Sequence, residues 1–413
     1  MSAESSLPPG SRWTNWVGNQ SFTPGHAAAP RAESEVAELV RRAAGQGLGV
    51  RVSAARHSFT PIVETDGLLL DLSALSGVVS ADAGRRRAVA LAGTPIHGFY
   101  EPLWQQGLAL INQGDIDTQQ IAGAIATATH GSGPRFTSLS GVLRGVTLVT
   151  ASGELRTIAE DEPELLAAAQ VAVGMLGVMT RVELEVTAAY RLREQVDLWS
   201  FDEVLERWDE LVAEHRHFGL FWLPTEASGA LYNLDGHGRP MADRCYVKIY
   251  DEAAPDEPDD GTPGRRVDRC YRIYPMVYDA NFHELEYFVP LERGPEAMRA
   301  MRELMLASLP LSAFPLEIRT VGADNAYLSP NHGRASAVIS VSGQPGTDYW
   351  PYLRAVDALL TQFDARVHWG KLHFLTPERL HALYPRAQDF IAIRRELDPQ
   401  GMFLNAHLRA LFN

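Results

Sequence analysis

Arg51-Val-Ser-Ala-Ala-Arg-His-Ser-Phe-Thr60 follows an apolar, strand-like run and precedes Leu68-Leu-Leu-Asp-Leu72. Its small side chains leave the backbone open, so successive N–H groups can turn toward one anionic ligand such as a pyrophosphate. One imidazole, His57, stands in the middle of the turn. Taken alone, the stretch reads more readily as a surface loop with an ordinary histidine. A second segment shifts that balance. Asn112-Gln-Gly-Asp-Ile-Asp-Thr-Gln-Gln-Ile-Ala-Gly-Ala-Ile-Ala-Thr-Ala-Thr-His-Gly-Ser-Gly133 is again a small-residue loop with a histidine, His130, near its end.

Together with Trp13-Thr-Asn-Trp16, His368-Trp-Gly-Lys371 and Leu397-Asp-Pro-Gln-Gly-Met-Phe-Leu-Asn405, these stretches resemble the vanillyl-alcohol-oxidase (VAO) type of flavoprotein, and within it the sugar-lactone and alditol oxidases. The resemblance implies an α+β, two-domain VAO/PCMH-like architecture. By the same resemblance residues 1–190 are expected to form an FAD-binding domain and 191–370 a substrate-binding cap, with 371–413 returning to an FAD domain that is discontinuous in sequence. It also implies FAD as cofactor, attached covalently through His57 at the flavin 8α carbon. Ser58, Gln120, Gly123, Thr127, His130, Gly174, Gly177, Val178 and His368 are then expected along the cofactor. The stretch Val52, Ser53, Ala54, Ala55, Arg56 and the later run that includes Gly131 supply amide donors with little bulk. For each small residue singly, tight packing is the better explanation; the joint pattern is what informs. The family commonly has glycines before this histidine, and the variant with Ala54, Ala55 and Arg56 resembles the alditol-oxidase branch. A neutral imidazole nitrogen is a competent nucleophile toward an electrophilic carbon.

With 413 residues the chain is long enough for two or three domains. Its net charge of −14 opposes a nucleic-acid partner, because phosphate backbones need a basic footprint. Two cysteines, Cys245 and Cys270, make no secreted disulfide framework, although one bridge remains open. Met1 to Gly10 lack the basic and apolar regions of a signal peptide, and the most apolar run, Ala167 to Thr180, is too short to cross a bilayer. A cytoplasmic enzyme without a membrane partner is the expectation. Thirteen histidines are scattered without metal-ligand spacing, so no metal is expected. The G-x-G-x-x-G turn of a nicotinamide-binding unit is missing, as is a Walker-type phosphate loop.

Spacing predicts a helix capped by Ser34 with Val36, Leu39, Val40 and Ala43 inward, then a strand, Leu48 to Val52, that delivers the His57 turn. Helix is expected over 96–106, and strands over 68–72, 78–81, 88–92, 146–150 and 182–186. Beyond Tyr190 the reading is of strands at 218–223, 244–250, 284–290, 316–321 and 335–341, with helices at 203–214, 294–309 and 349–363. Helices at 377–384 and 386–397 close the chain. The acidic, proline-bearing run 251–264 reads as a solvated, mobile loop.

Three groups are expected to carry the chemistry. In Leu316-Glu-Ile-Arg-Thr320, Glu317 and Arg319 lie two apart and share one face of a strand. A surface ion pair is the plain alternative, but the resemblance places this pair on the substrate hydroxyls. Lys371, a surface lysine on general grounds, would by resemblance stabilise negative charge on the reduced flavin. The resemblance also makes dioxygen the electron acceptor, with Gly114 as the small residue of an oxygen gate; a turn glycine serves equally. The alditol-oxidase branch carries serine where this chain has Asp115 and typically histidine where it has Ser340. Ser340 and Ser342 share a strand face, and Glu284 alternates with Leu285 and Glu286, making Glu284 a further wall candidate. Polar, carboxylate-bearing walls suit a hydroxyl-rich ligand. A furanose-type substrate, an aldonolactone or a nucleoside sugar, ranks first and a linear polyol second. A carrier-linked dehydrogenase of the same fold and a catalytically silent ligand-binding protein are the rival readings.

Overall fold

A computed structural model describes residues 7–277 and 281–413. Short apolar strands build two larger sheets in the first half. A parallel three-stranded sheet aligns His26–Ala28, Leu68–Asp71 and Val50–Ser53, with Leu68–Asp71 in the centre. Its middle strand is buried on both faces, as a covered parallel strand must be. An antiparallel sheet then runs in the order Leu155–Ala159, Leu143–Val149, Val178–Glu185, Arg87–Leu91, Val78–Asp82. The helix Glu33–Gly45 turns Val36, Ala37, Val40 and Ala43 into the core between them. Its N-cap is Ala32 and not Ser34, and Glu33 is drawn away to Thr180 Oγ1 and Arg181.

An eight-stranded antiparallel sheet occupies residues 191–367, in the order Val267–Arg269, Arg191–Ser200, Arg244–Glu252, His217–Leu223, Leu316–Val321, Ser336–Gly343, His283–Pro290, Arg366–Val367. Helices Trp208–Glu214, Gly294–Ala307 and Trp350–Thr361 cover one face. Period-two alternation sends Leu316 and Ile318 toward those helices, and Glu317 and Arg319 to the opposite face. The predicted helix over 203–214 is broken at Arg207 into two, Phe201–Glu206 and Trp208–Glu214. The 96–106 helix begins as a 3-10 turn, Ile96–Phe99. The acidic run is not a free loop: Arg193 holds Glu257 at 2.7 and 2.8 Å, and Arg191 pairs with Asp259. Basic side chains from the neighbouring strand neutralise the like charge that suggested mobility.

The C-terminal helices Pro377–Leu383, Ala387–Leu397 and Ala406–Phe412 return to the first sheet. Asp398 caps the reversal by accepting from the amides of Met402, at 2.8 Å, and Phe403, at 2.9 Å. Val50 then donates to the Met402 carbonyl at 2.9 Å. Cys245 and Cys270 are both free and buried. Among the described residues no helix is long and apolar enough to cross a membrane, and no group of His, Cys, Asp and Glu is arranged to hold a metal ion.

Candidate active site

The strand Val50–Ser53 ends in a turn where Arg56 takes φ 64°, a left-handed conformation that reverses the chain. This turn forms one wall of a cleft of about 1190 Å³, open to solvent. Among the described residues, the amides of Ala55, Arg56, His57 and Ser58 donate to no protein acceptor. The opposite wall is the short helix Ile121–Ala126; a side chain at Gly123 would bring its Cβ within 3.0 Å of Ala54 Cβ, so the approach depends on glycine. Gly174 (φ 69°) and Gly177 (φ 147°) bend a third wall.

Arg51, to which the sequence reading gave no role, ties these walls together. Its buried guanidinium donates to the carbonyls of Ile62 (2.8 Å), Val173 (2.8 Å), Gly174 (3.1 Å) and Phe403 (2.5 Å). Burial pushes its pKa down to about 10, which still leaves it charged at neutral pH.

His57 borders the cleft. Its Nε2 lies 3.2 Å from Thr118 Oγ1, and its Nδ1 is buried with no hydrogen-bond partner. Burial, then the nearby Lys371 charge, pushes its pKa down to about 4, so the ring is neutral at neutral pH. Gln119 Oε1, on the same cleft, is also buried and unpartnered. A row of open amides, walls thinned to glycine and alanine, and an orphaned neutral imidazole nitrogen fit a cofactor that joins a pyrophosphate to a ring system, as FAD does.

Val52, Ala54, Ala55, Arg56, Ser58, Gln120, Gly123, Thr127, Gly174, Gly177 and His368 border this cleft with His57. Ser53 does not: its hydroxyl accepts from Trp13 Nε1 at 2.8 Å, beneath the turn. Val178 begins a strand and is fully buried in the core. Gly131 is pressed against the Gln113 carbonyl, where an added Cβ would lie at 2.2 Å, and it borders a smaller cavity behind Arg319.

A second cavity, of about 570 Å³, adjoins the cleft and shares Ile116, Gln119, Thr129, His368 and Lys371 with it. Its floor is the open face of the large sheet. Strand register sets Glu317 opposite Ser340, Ser340 opposite Glu286, and Ser342 opposite Glu284. Arg319 Nε donates to Glu317 Oε1 at 2.6 Å, and Arg319 Nη2 to Asp115 Oδ2 at 2.9 Å. Asp115 also faces Lys248, 3.4 Å away. Gly114 and His130 lie on this cavity's wall as well.

Burial pushes the Glu317 pKa up to about 7; Arg319 opposes that rise, and Asp115 and Glu284 reinforce it. Lys371 donates to Glu284. Burial disfavours the Lys371 ammonium, but Glu284 and Glu286 outweigh it and hold the pKa above the ordinary lysine value. Ser340 is occupied as a donor to Glu284 (2.5 Å), and Ser342 is bonded to Tyr232 (2.7 Å). Their hydroxyls therefore brace other groups of the wall. Glu286 is 3.0 Å from His130 Nε2, and although burial opposes it, that contact and the Lys371 charge hold its pKa below the ordinary carboxylate value. Burial pushes His368 down to about 3. Glu286 had no assigned role in the sequence reading, although its alternation with Glu284 already put both on one face.

Known proteins resemble the chain along its length. The family pattern described as "D-arabinono-1,4-lactone oxidase" matches residues 182–254 and 239–411, and an FAD-binding domain pattern matches 24–159. An L-gulono-1,4-lactone dehydrogenase of Mycobacterium tuberculosis is 32% identical, covering 96% of this chain and 98% of its own. An alditol oxidase of a Streptomyces species is 30% identical over 97% and 99% of the two chains. Among solved structures, the cholesterol oxidase of B. sterolicum superposes with a TM-score of 0.83 at 15% identity, covering 98% of this chain and 97% of its own. The fold is thus the VAO-type α+β flavoprotein fold that the sequence led us to expect, and FAD is the cofactor its first domain pattern describes. Given a family pattern spanning more than half its length and a relative matching nearly all of it, the chain belongs to the D-arabinono-1,4-lactone oxidase family and is an FAD-dependent oxidoreductase acting on CH–OH groups.

Proposed function

We propose that the protein is an oxidase that removes hydride from a carbinol carbon of a polyhydroxylated, furanose-type substrate, an aldonolactone or a nucleoside sugar, and passes the electrons to dioxygen to give hydrogen peroxide. One observation carries this reading: Glu317, Arg319 and Lys371 converge on one cavity that opens onto the cofactor cleft. Bound FAD supplies the hydride acceptor. Glu317, poised near neutrality by burial, takes the hydroxyl proton. Arg319 keeps one edge on Glu317 and orients substrate oxygen, while Asp115, Glu284 and Glu286 accept from the remaining hydroxyls. Lys371, at the junction of the two cavities, would supply a positive charge to offset the negative charge that bound FAD gains on reduction. His57 tethers the flavin, which the neutral state of its imidazole supports.

The relatives' names support hydroxyl-rich substrates: they are called oxidases and dehydrogenases of gulonolactone, and an alditol oxidase. The mycobacterial relative's name favours a second reading, in which a carrier and not dioxygen takes the electrons. The deciding experiment is to screen lactones, nucleosides and alditols for anaerobic bleaching of the flavin, then admit air. Bleaching by furanose-type compounds followed by stoichiometric peroxide is the expected result. Bleaching by linear polyols alone would overturn the substrate class, and a reduced flavin that persists in air would favour the carrier.

A further inference from the structure

The two nitrogens of His57 stand in different situations: Nε2 is 3.2 Å from Thr118 Oγ1, while Nδ1 is buried and unpartnered. We propose that Thr118 is a positioning residue for flavin attachment, selecting Nδ1 of His57 as the bonding nitrogen and receiving the proton that Nε2 must release. The proposal rests on the tethered-flavin reading above.

A neutral imidazole carries one N–H and one lone pair. When Nε2–H donates to Thr118, the lone pair is on Nδ1, the nitrogen that no protein group engages. Once Nδ1 has bonded to carbon, the ring would be a cation if Nε2 kept its proton, and Lys371 disfavours positive charge there. Thr118 is exposed, so that proton has a path to solvent. A hydroxyl can accept from Nε2–H before the bond forms and donate to the bare Nε2 afterwards. Trp16, 5.1 Å from the imidazole between ring centroids, packs beside it and helps to fix its orientation. Overall, one C–N bond replaces the imidazole N–H and one C–H of the 8α methyl group. The two protons and two electrons released pass to dioxygen, giving one hydrogen peroxide.

The test compares wild type, Thr118→Val and Thr118→Ser. Apoprotein is mixed with FAD in air, and the flavin remaining with acid-precipitated protein is followed over time. The linkage is then located by mass and by spectroscopy of the peptide that carries His57. Serine is expected to attach flavin at the wild-type rate. Valine, which keeps the shape but neither accepts nor donates, is expected to bind FAD while attaching it at least about tenfold more slowly. Attachment by Thr118→Val at the wild-type rate would overturn the proposal, as would a wild-type linkage through Nε2, a readout independent of any variant's folding. Wild type that releases all its flavin on precipitation would instead refute the tether itself.

Discussion

Arg319 Nη2 donates to Asp115 Oδ2 at 2.9 Å, joining a strand of the large sheet to a loop 204 residues earlier in the chain. Asp115 thereby competes with Glu317 for one guanidinium and adds a negative charge that raises the Glu317 pKa. Glu317 must lose its proton to act as a base, so flavin reduction should rise with pH and reach half its maximum near pH 7. Removing the like charge should lower that midpoint. Asp115→Ser is expected to shift the profile of anaerobic flavin reduction toward acid; an unmoved midpoint would separate Asp115 from the tuning of Glu317.

Lys371 shares its charge with Glu284 at the mouth of the substrate cavity. Lys371→Met deletes the only cationic member of that pair and leaves Glu284 buried without it. Loss of such an electrostatic stabiliser typically costs about 10²- to 10³-fold in rate. Stopped-flow reduction should slow by that order while the visible spectrum still reports bound flavin.

Gly114 leaves no room for a methyl group, since an added Cβ would lie 2.9 Å from the His130 carbonyl oxygen. Gly114→Ala must displace the backbone that carries His130, and with it the contact to Glu286. If dioxygen reaches the reduced ring past this loop, reoxidation should slow more than substrate reduction does. Separate rates for the two half-reactions check this, and an equal effect on both would assign Gly114 to packing.

Arg51→Met should destabilise the protein by about 3 kcal/mol or more, because four carbonyls lose a charged donor and unsatisfied buried groups cost roughly 1–3 kcal/mol each. Calorimetry should show the loss, and flavin retention should fall with it.

Much of this was legible wherever chemistry and periodicity coincide locally. Strand Leu316–Val321 lies where its alternation placed it, and the helix expected over 377–384 is present as Pro377–Leu383, capped by Thr376. The ten-residue strand Arg191–Ser200 went unread because Arg191, Arg193, Glu194 and Asp197 break its apolar pattern. Those charges are satisfied by partners far along the chain, as Arg193 is by Glu257, a separation of 64 residues. In the same way Arg51 and Glu286 take their meaning from groups 352 and 156 residues away. A sequence window shows a charge but not the distant group that justifies burying it. The small-residue turns were readable because the demand for an open backbone is local.

The bond from Arg51 to the Phe403 carbonyl sets an order of events in biogenesis. The guanidinium that braces the cofactor walls gains its fourth acceptor only after residue 403 has left the ribosome. Chains still short of that carbonyl are expected to hold the cofactor more weakly than the finished fold, with the turn at Asp398–Phe403 acting as a latch.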